Sequence, residues 1–190
     1  FLSHNYKNKV QILKIKHNNL IHNIIINLVG KIQIKNILMA AIAASKSNLD
    51  LKKILGAFPK LSPVEGRFEN IGKIKNKSLV FLDYAHTPDA LQTCLQNIKE
   101  QFSDKYISVV FGCGGDRDIG KRSKMGKIAS RYADKIYLTD DNQRQESPSK
   151  IREDINKGIK KAQIIEISNS KKAIAKAINN LNTGTGLIDA

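Results

Sequence analysis

The chain has 190 residues and a formal net charge of +15, with 41% hydrophobic and 26% charged residues. This composition is typical of a folded domain and excludes a disordered chain. No run approaches the roughly 18 consecutive apolar residues of a membrane-spanning helix, so we expect no membrane association. The two cysteines, Cys94 and Cys113, exclude a disulfide framework and a four-ligand zinc site, which favours a cytoplasmic protein.

The positive charge by itself suggests a nucleic-acid partner. The lysines, however, are spread over the whole chain, and only 6% of the residues are aromatic. No aromatic residue lies within a basic cluster, where it would stack on bases. We therefore expect a solvated, lysine-rich surface and no nucleic-acid partner, while binding of anionic small molecules stays open.

The first part of the chain predicts two strands followed by two helices. Apolar and β-branched residues indicate strands at residues 10–15 and 21–28. An alanine-rich stretch predicts a helix over residues 34–45, and a second helix is expected from the capping residue Asp50 to about residue 58. A proline-containing loop follows, and we place a domain boundary there.

From residue 78 onward, predicted strands and helices alternate. The strands are residues 78–83, 106–111, 135–139 and 163–167, and the helices are residues 88–101, 121–132, 148–161 and 170–181. Alternation at this spacing predicts a Rossmann-like α/β fold with a doubly wound, mostly parallel sheet. Right-handed crossovers would then cover both faces of that sheet.

Polar loops follow the first three of these strands, at residues 83–89, 112–122 and 140–146. Ligand sites in such sheets lie beyond the carboxyl ends of the strands. We therefore expect the first, middle and third loops to converge at one edge of the sheet and to form the functional site.

The middle loop is rich in glycine but matches neither standard phosphate-binding motif. A P-loop would need Ser or Thr where the chain has Arg122, and a dinucleotide fingerprint would need glycine at Arg117. Backbone N–H groups could still bind an anion, with positive charge added by Arg117, Lys121 and Arg122. The alternative is a tight turn with solvated charges. Cys113 is interpreted as a packing residue rather than a nucleophile.

The other two loops carry weaker signals. Asp83 ends a strand, where ribose and metal contacts are common, and His86 could stack on a base or contact a phosphate. Thr87 is also well placed to cap the following helix. In the third loop, Arg144 can grip a carboxylate through two hydrogen bonds beside Asn142, although a surface turn also fits these residues.

Several segments together form a set that is far more specific than any one motif. They are Gly-Arg-Phe-Glu at 66–69, Asp-Tyr-Ala-His-Thr-Pro-Asp-Ala-Leu at 83–91, Phe-Gly-Cys-Gly-Gly-Asp-Arg-Asp at 111–118, Gly-Lys-Arg at 120–122 and Asp-Asn-Gln-Arg at 141–144. In this order and spacing they resemble the Mur ligases of peptidoglycan synthesis, and among these the branch that adds diaminopimelate. Residues 30–36 resemble a segment of the ATPase domain of the same family.

The resemblance implies an ATP-dependent ligase that joins meso-diaminopimelate to UDP-MurNAc-L-Ala-D-Glu through an acyl phosphate, with ATP and Mg²⁺ as cofactors. It implies that residues 1–65 are the C-terminal part of a central ATPase domain. Residues 66–190 would then form the Rossmann-like C-terminal domain of the family, truncated at its end. We expect a monomer.

The resemblance also implies roles for individual residues. Diaminopimelate would be bound by Arg117, Asp141, Asn142, Gln143 and Arg144. ATP would be bound by Asn36, Arg67, Asp83 and His86. No catalytic residue and no metal ligand is assigned within this chain.

The chain departs from the family pattern in ways that affect this interpretation. Gln143 and Ser123 stand where the family has proline, and Gln33 replaces an asparagine. A Walker A segment, a UDP-binding domain, the lysine that is carbamylated for magnesium and the closing Gly-Lys-Gly-His-Glu segment are missing from the sequence. We therefore expect a C-terminal fragment that is inactive alone. The alternative is an autonomous Rossmann-like module that binds an anionic metabolite without ligase activity.

Overall fold

Two sheets organise the chain, a three-stranded antiparallel sheet and a six-stranded mixed sheet. The computed structural model describes residues 1–7, 9–74, 77–181 and 185–189, and it describes Lys73 and the last of these ranges by backbone alone. Residues 182–184 and Ala190, which belong to the domain expected over residues 66–190, lie outside the described residues.

The N-terminal part is a small antiparallel sheet with two helices packed against it. Its elements are β1 (Ser3–Lys7), β2 (Val10–His17), β3 (Leu20–Ile26), α1 (Lys31–Lys46), α2 (Leu51–Ala57) and a 3-10 turn (Phe58–Lys60). Their apolar side chains share one buried cluster, which includes Leu13, Ile26, Ile37, Leu55 and Phe58. The predicted start of the second helix is confirmed, because Lys53 N donates to Asp50 Oδ1 at 3.0 Å.

The second part is a Rossmann-like α/β unit, as the alternating pattern predicts. Its elements are β4 (Glu69–Lys73), β5 (Leu79–Leu82), α3 (Pro88–Gln101), β6 (Tyr106–Phe111), α4 (Gly120–Tyr132), β7 (Lys135–Leu138), α5 (Pro148–Asn156), β8 (Gln163–Glu166), α6 (Ser170–Asn179) and β9 (Thr185–Asp189). The strand order is β4-β5-β9-β6-β7-β8, with β4 antiparallel to β5 and the other neighbouring pairs parallel.

Both faces of this sheet are covered by helices, because the chain changes direction across the sheet. From β5 it moves outward through β6 and β7 to β8, and it then returns to β9 between β5 and β6. A right-handed crossover in the return direction places its helix on the opposite face. Accordingly, α3, α4 and α5 pack against one buried cluster and α6 packs against another.

Alternation along the strands supplies side chains to both clusters. Phe81, Val109 and Ile136 face α3, α4 and α5. Their neighbours in sequence, Val80, Val110 and Tyr137, face α6. Strands that are buried on both faces read as continuous apolar runs, which is why the sequence predicts them well.

Polar side chains of α3 join the two units. Gly30 N donates to Gln101 Oε1 at 2.9 Å, and Ile32 N donates to Asn97 Oδ1 at 3.2 Å. These are N–H groups at the start of α1, which has no side-chain cap of its own. The other end of the Gln101 amide donates to Lys9 O at 2.7 Å. The N-terminal part and the α/β unit are therefore held together by specific hydrogen bonds.

The predicted helices and buried strands are confirmed, and three strands are missed. β1, β4 and β9 are too polar or too rich in glycine to resemble strands, and β4 also carries a bulge between Asn70 and Gly72. The fifth helix is shorter than predicted and ends at Asn156 rather than near Lys161. Within the described part of the chain, no helix is both long and apolar enough to cross a membrane.

Candidate functional site

The three polar loops converge at one edge of the sheet, as the sequence predicts. A cleft of about 260 Å³ is lined by residues of the first loop, the middle loop, the third loop and the start of α6. The lining includes Asp83, His86, Gly112, Asp141 and Ser170. Residues that are far apart in sequence therefore line one cleft, in which a ligand can contact all three loops.

Asp83 follows β5 and anchors the preceding loop. Its Oδ2 accepts a hydrogen bond from Phe68 N at 2.8 Å, which fixes the backbone next to Arg67. Burial raises the pKa of the Asp83 carboxyl, although the Phe68 hydrogen bond and the nearby Arg67 act in the opposite direction. One carboxylate oxygen thus stabilises the loop. Within the described part of the chain no donor to the other oxygen is found, so that oxygen can accept from a ligand hydroxyl.

Arg67, Tyr84 and His86 form a group beside this carboxylate, here called the stack, in which the Tyr84 and His86 rings are tilted by 59° to each other. The Arg67 guanidinium lies 5.1 Å from the centre of the Tyr84 ring, and the Tyr84 and His86 ring centres are 5.0 Å apart. Tyr84 is 63% exposed, so the stack presents ring faces and a cation to solvent. Such a surface suits a flat aromatic base that carries phosphate. The sequence analysis missed Tyr84, because an isolated tyrosine in a loop carries no local signal.

Asn36 reaches this region through another side chain. Asn36 lies on the exposed face of α1, and its Nδ2 donates to Gln33 Oε1 at 3.4 Å. Gln33 Nε2 in turn donates to Arg67 O at 3.3 Å. Asn36 also lines an apolar groove of about 500 Å³ between α1, α2 and residues 61–64. Gln33, which stands where the resemblance predicts asparagine, therefore supports the loop that carries Arg67 through this hydrogen bond.

The glycines of the middle loop allow it to touch the third loop. A Cβ atom at Gly115 would lie 1.9 Å from Gln143 O, and one at Gly112 would lie 2.5 Å from Thr139 O. Gly115 N donates to Asn142 O at 2.9 Å. Gly112 and Gly115 thus allow close backbone contact between two loops.

Arg144 is held over the middle loop in an uncommon backbone conformation. Its φ is 49°, in the left-handed region that non-glycine residues rarely adopt. Asn142 Oδ1 accepts from Arg144 N at 3.3 Å, and Arg144 Nη1 donates to Gly115 O. These bonds use part of the hydrogen-bonding capacity of both side chains. Both residues are exposed, and among the described residues no partner is found for Asn142 Nδ2 or for the other guanidinium nitrogens of Arg144. These groups can therefore donate to a carboxylate.

The remaining predicted residues of the amino-acid site are exposed around this pair. Arg117, Asp141 and Gln143 all lie at the surface of the middle and third loops. Among the described residues, no hydrogen-bond or ion-pair partner of the Arg117 side chain is found, so its charge is available. Asp141 lines the cleft, and Gln143 contributes its backbone carbonyl to a turn with Glu146 N at 3.0 Å.

One expectation for the middle loop needs correction, and one side chain of this loop has an additional role. Arg122 does not supply charge to a ligand, because its side chain is 1% exposed and pairs with Glu146 and Asp154. Lys121 Nζ donates to His86 O at 3.0 Å and so ties the middle loop to the first. Neither role carries a sequence signal, since the partners are 24 to 35 residues away.

Cys113 packs beneath the middle loop. It is buried, and its Sγ lies 3.6 Å from Met125 Sδ. Burial raises the pKa of the Cys113 thiol to about 11, so the thiol stays protonated at neutral pH. Within the described ranges, no group of three or more His, Cys, Asp or Glu side chains could hold a metal ion.

Residues 66–188 match the family model described as Mur ligase, glutamate ligase domain. The chain is 45% identical over 156 residues to the UDP-N-acetylmuramoyl-L-alanyl-D-glutamate–2,6-diaminopimelate ligase of Rickettsia felis, covering 82% of this chain and 29% of the relative. It is 41% identical over 177 residues to the protein of the same name from Chelativorans sp., covering 93% and 36%. The chain thus spans about a third of the length of the curated relatives it matches.

Solved structures share the fold. A UDP-N-acetylmuramoyl-L-alanyl-D-glutamate–2,6-diaminopimelate ligase superposes with a TM-score of 0.72 at 32% identity, covering 99% of this chain and 38% of the other. MurF ligase from Thermotoga maritima, solved in complex with ADP, gives a TM-score of 0.69 at 20% identity, covering 98% and 41%. The second likeness bears on the fold alone.

Proposed function

Because the chain belongs to the Mur ligase family, we propose that it is part of an ATP-dependent ligase of peptidoglycan precursor synthesis. The ligase adds meso-diaminopimelate to UDP-MurNAc-L-Ala-D-Glu and acts as a cytoplasmic monomer. Residues 1–65 contribute the C-terminal part of the ATPase domain, and residues 66–190 contribute the amino-acid-binding domain. The observation that carries this proposal is the cleft at one edge of the sheet, where Tyr84 and His86 of the first loop face Asp141 of the third loop. Arg117 and Arg144 are exposed on the loops that border this cleft.

The middle and third loops bind the amino acid in this proposal. Diaminopimelate carries two carboxylates, and a guanidinium can meet a carboxylate through two parallel hydrogen bonds. Arg144 has lost one N–H to Gly115 O but keeps a free edge, and Asn142 Nδ2 can donate beside it. Arg117 adds a second, unpaired guanidinium. A lysine side chain would place an ammonium against these cations, which disfavours lysine as a substrate.

The first loop binds the nucleotide. The residues fit ATP in chemical type, since the Tyr84 and His86 rings offer flat faces and the Arg67 guanidinium offers a cation. The free oxygen of Asp83 suits a ribose hydroxyl. When bound, ATP would supply the γ-phosphoryl group for an acyl phosphate on the substrate carboxylate, with ADP as the leaving group. The backbone hydrogen bond from Phe68 to Asp83 keeps Arg67 in place during this step.

The amino-acid loops act in the second step. The diaminopimelate amine attacks the acyl carbon, forms a tetrahedral oxyanion and loses a proton, and inorganic phosphate then leaves as the amide forms. Arg117 and Arg144 fix the carboxylates of diaminopimelate so that its amine is held in line with the acyl carbon. Lys121 links the two halves of the site, because its ammonium donates to the backbone of the first loop.

A chimeric enzyme tests this proposal. Residues 66–188 would replace the matching domain of the Rickettsia felis relative, and ADP release would be followed with UDP-MurNAc-L-Ala-D-Glu and ATP present. We expect release that depends on meso-diaminopimelate and is not supported by L-lysine. The matched Arg144→Ala chimera should lose the ADP release that meso-diaminopimelate supports in the unmodified chimera. Equal rates with and without meso-diaminopimelate would contradict the proposal.

A further inference from the structure

Arg122 lies in the first turn of α4 and is a charged residue in an almost fully buried position, with 1% of its side chain exposed. Such burial is rare for arginine unless the charge is paired. Its Nη2 and Nη1 donate to the two carboxylate oxygens of Glu146 at 2.7 and 2.9 Å, and Nη1 also donates to Asp154 at 3.2 Å. The guanidinium is thus held from the third loop and from α5 together.

Glu146 extends this contact to the middle loop. Its Oε1 accepts from Asp116 N at 2.5 Å, and Gln145 N donates back to Asp116 Oδ2 at 3.1 Å. The hydrogen bonds from Arg122 are the main reason that the pKa of Glu146 lies below its ordinary value, with a further contribution from Asp116 N. One carboxylate therefore joins α4, the middle loop and the third loop.

This contact lies beyond the sheet, where the strands no longer fix the loops. β6 and β7 pair only as far as Phe111 and Leu138, so the loop tips need other contacts to stay together. Buried ion pairs add little net stability compared with apolar packing, but their geometry is strict. We therefore attribute the burial of Arg122 to the loop arrangement that its hydrogen bonds fix, and not to a gain in folding stability.

We propose that Arg122 and Glu146 are positioning residues of the amino-acid site. They hold the middle and third loops at the spacing at which Arg117 and Arg144 face one ligand, and neither of them touches that ligand. Arg117 follows Asp116 directly, and Arg144 lies two residues before Glu146, so a change in this pair moves both. This inference rests on the proposed function, because the ligand in question is meso-diaminopimelate.

The Glu146→Gln variant tests the proposal in the whole chain. It keeps the size of the side chain and removes the charge, and Lys150→Gln is the matched control. Lys150 also lies near Asp154, at 3.9 Å, but it is exposed and does not contact the loops. Binding of meso-diaminopimelate would be measured by calorimetric titration. Amide hydrogen exchange would be followed in residues 113–118 and, as a reference, in α3.

We expect Glu146→Gln to weaken binding about tenfold, which corresponds to about 1.4 kcal/mol. Exchange should accelerate in residues 113–118 but not in α3, whereas Lys150→Gln should change neither quantity. A purely structural role predicts faster exchange in both segments, and that result would overturn the proposal. Unchanged affinity in Glu146→Gln would also overturn it.

The two proposals can fail separately. Absence of meso-diaminopimelate binding in the wild-type chain would contradict the amino-acid site itself. The exchange data would then decide the positioning role alone, since they need no ligand. Selective acceleration in residues 113–118 would support it, and unchanged exchange there would refute it.

Discussion

Replacement of Gly115 by alanine should separate the two loops of the amino-acid site. The new Cβ would lie 1.9 Å from Gln143 O, and ordinary contact begins at 3.4 Å, so the backbones must move apart by roughly 1.5 Å. That movement breaks the 2.9 Å bond from Gly115 N to Asn142 O and the bond from Arg144 to Gly115 O. Overpacking typically costs about 1–3 kcal/mol, and we expect a loss of about 2 kcal/mol.

For a chain of this size, such a loss lowers Tm by roughly 4–8 °C. Thermal unfolding followed by circular dichroism would measure it, and Gly56→Ala is the matched control. No atom lies within 4 Å of a Cβ built at Gly56, which is inside α2, so this variant should gain about 0.4–1 kcal/mol. A Gly115→Ala protein with the wild-type Tm and unchanged binding of meso-diaminopimelate would refute the close approach of the loops.

Further substitutions test the supports of the site. Thr87→Ala removes the 3.3 Å cap bond to Ala90 N and should cost about 1 kcal/mol in denaturant unfolding, whereas an unchanged midpoint would contradict the cap. Gln101→Ala leaves Gly30 N unpaired and should cost about 1–3 kcal/mol, and equal stability would show that water replaces the amide. Because the pKa of Glu146 is lowered in the folded state, its contribution is complete above its ordinary value of 4.5 and is lost as the pH falls through the folded value. The stability difference between wild type and Glu146→Gln should therefore shrink below about pH 4.5, and a difference that stays constant on acidification would contradict this linkage.

The parts of the fold that could be predicted are those governed by local chemistry. β6 could be predicted because a strand that is buried on both faces needs a continuous run of apolar residues. The start of α3 could be predicted because Thr87 offers the side-chain oxygen that accepts from a free N–H group of the first turn. β9 could not be predicted, since Thr185, Gly186 and Asp189 leave only two adjacent apolar residues in this segment. That segment is a strand because β5 and β6 supply hydrogen-bonding partners on both sides.

The same division holds for the site. The convergence of the three loops follows from the parallel sheet alone, and it was predicted. The burial of Arg122 was not predicted, because its ion-pair partners Glu146 and Asp154 are far away in sequence. For the glycines of the middle loop, the sequence left anion binding and a tight turn open, and it gave no sign that contact with Gln143 O is what requires Gly115. Such facts depend on contacts between distant residues, which sequence spacing does not encode.

We propose that the middle and third loops form a site selective for meso-diaminopimelate. Calorimetric titration of the whole chain with meso-diaminopimelate, L-lysine and buffer tests this selectivity, with Arg144→Lys measured in parallel. We expect saturable heat with meso-diaminopimelate only, and a clear loss of affinity in Arg144→Lys because lysine cannot form two parallel hydrogen bonds to a carboxylate. Equal heats from the two amino acids, or no saturable heat from meso-diaminopimelate, would contradict it.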